Sequence, residues 1–275
     1  MASGKSPGVL ITGASTGIGK AAAQLFAERG WRVAATMRHP ADGAALSERQ
    51  GITVLPLDVT DPASVAAAVA ETLRRFGQID AVVNNAGYGL FGPFETATDA
   101  QIRRHFATNV DGIFAVTRAV LPEMRRQGSG TIINVASLAG LMTLPFYSLY
   151  HATKYAVVGF TESLSFELAP LGIQAKVIAP GGVATDFSGR SLARTFGEGE
   201  HAYGDSLSKV MSAMDARRST YSSPAAIAEV IFTAATDGTG QVLYAAGPDA
   251  EQAVAMLKRL TEAQRLAMVR QHSGL

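Results

Sequence analysis

The 275-residue chain has no cysteine, one tryptophan and a formal net charge of only +1. Each shortage removes a class of explanation. Without cysteine there is no disulfide, no thiolate-bound metal and no cysteine nucleophile, and a reducing compartment is permitted. A nearly neutral chain generates no field that would gather nucleic acid, so no nucleic-acid partner is expected. The five histidines, His39, His105, His151, His201 and His272, are scattered without ligand spacing, and no metal site is expected. No segment is apolar and long enough to span a bilayer. The N-terminal stretch carries one lysine and a very short apolar run before glycine intervenes, which makes a poor signal peptide. A cytoplasmic protein is the resulting expectation.

What the chain has is a repeating alternation. Short Val- and Ile-rich runs at 8–12, 32–36, 52–57, 80–84, 131–137, 173–179 and 241–246 read as strands. Most are apolar on both faces, as in a parallel sheet covered by helices above and below. The intervening stretches carry helix starts: Asp61 before Pro62, Thr98 spaced from Gln101 as a capping box, and serine before Pro224. Strand and helix in regular turn predict a seven-stranded, doubly wound α/β sheet in one domain spanning 1–275. Two segments depart from this rhythm. Residues 188–222, rich in Gly, Ser and charge, are expected to form a functional loop that serves as a substrate lid. Residues 249–271 are expected to form one amphipathic helix with Ala253, Met256, Leu257, Leu260 and Ala267 toward one face, packed on its own sheet.

The run ITGASTGIGK follows the first strand and opens the first helix, the context in which Gly13, Gly17 and Gly19 acquire meaning. Glycine permits the tight turn and the close approach of a pyrophosphate, and the helix N-terminus offers free N–H donors. Ser15 and Thr16 add hydroxyls. An acid at the end of the second strand would bind an adenosine ribose hydroxyl. The sequence there instead reads Thr36, Met37, Arg38, His39, with no acid before Asp42. A cation in place of a carboxylate favours a 2′-phosphate, hence NADP(H) over NAD(H).

Tyr150 and Lys154 stand four apart on a predicted helix and so share a face. A fixed ammonium beside a phenol favours the phenolate and brings its pKa toward the range useful for proton transfer. The pair alone is a weak signal, because chance supplies such spacings. Position strengthens it. Ser137 ends the fifth strand at the carboxyl edge of the sheet, where its hydroxyl could polarise a carbonyl oxygen. Asn109 sits inside a predicted helix, where asparagine has poor propensity; a structural hydrogen bond and a water-bridged proton path are both compatible with it.

These motifs, in this order, resemble the short-chain dehydrogenase/reductase family from about residue 8 to residue 246. TGASTGIG, containing Ile18, resembles the family's cofactor turn. LDVT, with Asp58 and Val59, resembles the adenine-contacting segment, and NNAG, with Asn85, Ala86 and Gly87, the fourth-strand motif. Asn109, Ser137, Tyr150 and Lys154 fall at the family's catalytic positions. Pro180, Gly181, Val183 and Thr185 resemble the segment that meets the nicotinamide carboxamide. The resemblance implies hydride transfer between NADP(H) and a carbonyl carbon, with Ser137 polarising the oxygen, Tyr150 exchanging its proton, Lys154 lowering the phenol's pKa and holding the ribose, and Asn109 holding a water. Leu90, Phe91, Phe94, Leu141, Met142, Leu144 and Phe146 surround the reacting centre in sequence and suggest a hydrophobic ketone, aldehyde or alcohol as the small-molecule substrate. The run QVLYAAGPDAEQAVAML at the end of the sheet resembles the steroid- and retinoid-type members. The resemblance also allows a homodimer through the helices starting near residues 99 and 147. The competing expectation is a non-catalytic NADP(H)-binding regulator on the same fold.

Overall fold

Among the described residues nine short runs of extended chain form in order: β1 Gly8–Thr12, β2 Arg32–Met37, β3 Ile52–Pro56, β4 Ala81–Asn84, β5 Gly89–Phe91, β6 Gly130–Val135, β7 Ile173–Pro180, β8 Leu192–Arg194 and β9 Leu243–Ala246. The computed structural model describes residues 6–185, 191–196, 202–216 and 218–275. Seven of the strands make one all-parallel sheet in the order β3-β2-β1-β4-β6-β7-β9. The chain therefore builds outward from β1 in one direction, then returns and builds from β4 in the other. Between β1 and β4 the connections leave toward opposite sides, and a crevice must open at their carboxyl ends.

The helices are α1 Gly17–Glu28, α2 Ala44–Ser47, α3 Pro62–Phe76, α4 Asp99–Phe106, α5 Gly112–Gln127, α6 Ser148–Leu168, α7 Gly204–Asp215, α8 Pro224–Thr236, α9 Pro248–Leu257 and α10 Glu262–Ser273. Side chains alternate across β1, so Val9 and Ile11 face one layer and Leu10 the other. Val9 and Ile11 pack with Ala22, Ala23 and Phe26 of α1 and Ile227 and Ile231 of α8. Leu10 packs with Val65 and Val69 of α3, Val116 and Val120 of α5, and Leu164 and Leu168 of α6. The predicted starts form as read: Asp61 accepts from the Ala63 N–H, Thr98 and Gln101 cap reciprocally, and Ser223 accepts from the Ala226 N–H. Within β7 the fully buried Lys176 is paired with Asp237 and bonded to the Tyr244 hydroxyl, so this interior charge is answered rather than stranded.

Several boundaries differ from the sequence reading. β6 stops at Val135, and Ser137 instead caps the short 3₁₀ turn Leu138–Gly140. The helix carrying Asn109 is interrupted by a π turn, Ala107–Asp111, between α4 and α5. The C-terminal segment is two helices, because Thr261 and Gln264 form a capping box that starts α10 anew. Ala253 is buried as expected, whereas Ala267 is exposed. The expected lid region contains β8, which pairs with β5, and α7; its stretches 188–190, 197–201 and 217 lie outside the described residues. No helix among the described residues is long and apolar enough to cross a membrane.

Phe26 anchors the α1–α8 layer, fully buried with its ring edge-on to Trp31 and Phe232 at 5.1 and 5.0 Å. Phe26→Ala should lower unfolding free energy by about 3–5 kcal/mol, measured by chemical denaturation; a loss below about 1 kcal/mol would show that this layer repacks freely.

Candidate active site

The crevice between β1 and β4 is laced across its floor. The Thr12 hydroxyl accepts from the main-chain N–H groups of Asn85 and Ala86, each at 3.0 Å. The Asn85 side chain donates back to the carbonyls of Thr12 and Gly13 at 3.0 and 3.1 Å. Gly13 and Gly17 take positive φ, +67° and +56°, which side-chain-bearing residues rarely adopt. Gly19 is required for proximity instead: a Cβ there would stand 2.4 Å from the Gly13 carbonyl oxygen. The turn delivers α1 with its N-terminus uncompensated. Thr16 makes no side-chain cap, and the first turn carries no acid. That positive end suits a pyrophosphate.

A cleft of about 1790 Å³ follows from this arrangement. Gly13, Ser15, Thr16, Gly17 and Ile18 line it from β1; Arg38, Asp58 and Val59 from β2 and β3; Asn85, Ala86 and Gly87 from β4; and Pro180, Gly181, Val183 and Thr185 from β7. Ser137, Tyr150 and Lys154 line the same cleft. Of the residues singled out from sequence, Gly19 lies beneath the turn and Asn109 behind the wall. The Asp58 carboxylate accepts from the N–H and hydroxyl of Thr60 at 2.9 and 2.7 Å. Burial works to raise its pKa, but the Thr60 hydrogen bonds and the charges of Arg38 and Arg104 outweigh it and hold it low.

Tyr150 and Lys154 occupy the first two turns of α6. The Lys154 ammonium is buried, donates to the Val135 carbonyl at 3.0 Å and lies 5.7 Å from the centre of the Tyr150 ring. Burial lowers the Lys154 pKa to about 8. Burial also pushes Tyr150 up to about 12, and the group working against that rise is the Ser137 hydroxyl hydrogen-bonded to the phenol. This reverses the sequence expectation of a phenol lowered by its neighbouring ammonium. The physical reason is that burial of the half-buried ring penalises the phenolate, while the ammonium's direct partner is a main-chain carbonyl and not the phenol. The Ser137 hydroxyl also accepts from the Ala139 N–H at 3.1 Å. Asn109 is fully buried in the π turn, where its amide donates to the Tyr88 carbonyl (2.9 Å) and the Thr153 hydroxyl (3.3 Å) and its oxygen accepts from the Tyr88 N–H (3.1 Å). These bonds perform a structural role, tying the segment after β4 to α6.

The geometry is matched by ancestry. Residues 8–194 fit the family described as short chain dehydrogenase. The chain belongs to that family. It is 36% identical over 241 residues to an uncharacterized oxidoreductase of Schizosaccharomyces pombe, covering 87% of this chain and 100% of that protein. It is 39% identical over 197 residues to human retinol dehydrogenase 8, covering 68% of this chain and 62% of that protein. A solved short-chain dehydrogenase from Streptomyces avermitilis superimposes with a TM-score of 0.83 at 32% identity, over 97% of this chain and 98% of that one. The protein is thus an oxidoreductase enzyme with the doubly wound fold of its family.

The apolar wall of this dehydrogenase is composed differently from the sequence reading. Leu90, Met142 and Leu144 line the cleft, joined by Met214 of α7, Met256 of α9 and Met268 of α10. Phe91 and Phe146 lie behind that wall, clustered with Tyr147, and Leu141 packs into the core. Phe94 is 62% exposed and points away from the role assigned to it. Residues with no sequence motif also hold the site. Asp249 at the start of α9 accepts from the Gly182 N–H at 2.7 Å and fixes the segment after β7. His105 of α4, fully buried, faces the rings of Tyr88 and Tyr150 at 4.9 and 6.2 Å; burial and the charge of Lys154 push it down to about 4, so it is neutral.

Proposed function

We propose that this dehydrogenase is an NADP(H)-dependent oxidoreductase that interconverts a hydrophobic ketone or aldehyde and its alcohol. The observation that carries the reading is the convergence of Ser137, Tyr150 and Lys154 on the same cleft as the glycine turn, beside a wall rich in leucine and methionine. The glycine turn and the N-terminus of α1 would hold the pyrophosphate, Arg38 the 2′-phosphate, Asp58 and Val59 the adenine, and Val183 and Thr185 the carboxamide. NADP(H), when bound, supplies or accepts the hydride. The Ser137 hydroxyl donates to the substrate oxygen, and the Tyr150 phenol delivers its proton to that oxygen. The buried Lys154 charge stabilises the phenolate left behind and donates to the ribose. Asn109 keeps the segment after β4 and α6 in register and holds the water that returns a proton to Tyr150. Residues 188–222 serve as the lid over the substrate. Exposed Tyr155 and Phe166 on α6 offer apolar surface to a homodimer.

The raised Tyr150 pKa supports this chemistry in the reductive direction. A phenol that keeps its proton to about 12 is in the donating form throughout the neutral range. Oxidation of the alcohol needs the phenolate and is favoured as pH rises.

Tyr150→Phe should reduce kcat at least about 100-fold while NADPH binding, followed by nucleotide fluorescence, stays within about twofold of wild type. Activity within a few-fold of wild type would remove the tyrosine from the mechanism. Arg38→Ala should lower kcat/KM for NADPH roughly 10–100-fold and leave that for NADH nearly unchanged; equal losses with both nucleotides would remove the 2′-phosphate contact. Reductive kcat/KM should also fall as pH rises through about 8, where Lys154 loses its proton and Tyr150 still keeps its own. A profile flat to pH 10 would show that the ammonium charge is not required.

A further inference from the structure

The wall that joins Ser137 to Tyr150, residues 138–147, holds a conformation that its own sequence does not favour. Phe146 takes φ +62°, the one non-glycine residue with positive φ among the described residues. Its carbonyl accepts from the Gly92 N–H at 2.8 Å. A left-handed phenylalanine costs energy and persists only when its neighbours dictate it. Leu144 and Met142 of this wall face the substrate side of the cleft. An error in the wall therefore misplaces both the apolar surface and the residues that flank it.

His151, the residue after Tyr150, bridges the wall from within. It is 4% exposed. Its Nδ1 lies 2.7 Å from the Ala139 carbonyl oxygen, and its Nε2 accepts from the Leu144 N–H at 2.7 Å. The two partners decide the tautomer. A carbonyl can only accept, so Nδ1 carries the proton; a main-chain N–H can only donate, so Nε2 presents its lone pair. Only the neutral Nδ1–H imidazole satisfies both. A second proton would set an N–H at Nε2 against the N–H of Leu144 and break one of the two bonds.

We propose that His151 is a positioning residue that holds the wall between Ser137 and Tyr150 through its neutral tautomer, and that protonating it releases the wall and lowers activity. The proposal rests on the proton-transfer reading of Ser137 and Tyr150. The phenols of Tyr147 and Tyr150 face the imidazole, with ring centres 6.2 and 6.4 Å away. Burial raises the pKa of both, so neither offers a negative charge to the imidazolium at neutral pH. On α6 the cation of Lys154 follows three residues later and is held at the Val135 carbonyl. Burial lowers the pKa of His151 itself from the ordinary histidine value, with the Ala139 carbonyl working the other way. The acid form is therefore reached only below the usual histidine range, and the loss of activity belongs on the acid side.

The test is a kcat/KM profile from about pH 5 to 9, with NADPH and a hydrophobic aldehyde as probe, for wild type and His151→Ala, His151→Asn and His151→Gln. Alanine deletes both bonds. It should lower kcat/KM at least about tenfold while NADPH affinity, read by fluorescence, stays within about twofold. Asparagine keeps a donor near Nδ1, and glutamine keeps an acceptor near Nε2. Each should recover part of the loss, and neither titrates. The wild-type profile should decline at acid pH and the glutamine profile should not. An acid limb that survives unchanged in His151→Gln, or wild-type kcat/KM in His151→Ala, overturns the proposal. Should the alanine variant fail to fold, the glutamine profile decides. Tyr150→Phe measured alongside separates the two readings: activity retained there sinks the proton-transfer assignment, whereas activity lost there but retained in every His151 variant sinks this proposal alone.

Discussion

An ammonium withdrawn from water sets the terms for the site. Lys154 is buried on the first two turns of α6 and donates to the carbonyl of Val135, the last residue of β6. That bond spans the strand that leads to Ser137 and the helix that carries Tyr150. It thereby fixes the distance between the two halves of the chemistry before any ligand is considered. A buried charge anchored, among the described residues, by a carbonyl is under-compensated, and burial takes its pKa down to about 8. Such a group adds little to folding. In the proposed mechanism its value lies in a field already in place when a phenol nearby gives up its proton.

The same dryness raises Tyr150 and depresses His105 and His151. Burial disfavours whichever form is charged, so acids rise and bases fall together. Three neutral rings and one cation result, an arrangement with the proton stored on the phenol. Under the proposed mechanism a direction follows from that storage: a site that keeps its phenol protonated is prepared to finish a carbonyl reduction, and each step toward oxidation would first remove that proton against the burial penalty.

How much of this the sequence disclosed depended on whether the signal was local. The strands were legible because a parallel sheet buries both faces, and runs such as GVLIT can do little else. The glycine turn was legible because Gly13 and Gly17 answer a local backbone requirement. Ser137, Tyr150 and Lys154 were legible as spacing plus position at strand ends. What escaped depends on distant contact. β5 and β8 are three residues each, shorter than any periodicity can show, and they pair across about a hundred residues of chain. The break before α10 turns on a Thr–Gln capping box inside what reads as one amphipathic stripe. The sign of the Tyr150 shift was misread because the sequence displays the neighbouring charge but not the burial that outweighs it. His151 had no motif at all: its meaning lies in two main-chain groups, at Ala139 and Leu144, that no side-chain pattern records.

Burial also links substrate choice to chemistry. Leu90, Met142, Leu144 and Met214 line the cleft that Tyr150 and Lys154 share, so a substrate seated against them would displace water from its own surroundings and from those two side chains at once. Methionine suits such a wall, since its unbranched, polarizable side chain adapts to ligands of irregular shape. A polar substitution in that wall would therefore alter two things together. It would admit a more hydrophilic substrate, and by admitting water it would ease ionisation of Tyr150 and restore the proton to Lys154. Under the proposed function, selectivity for apolar carbonyls and readiness to reduce them would be two consequences of a single apolar surface, and neither could be tuned far without moving the other.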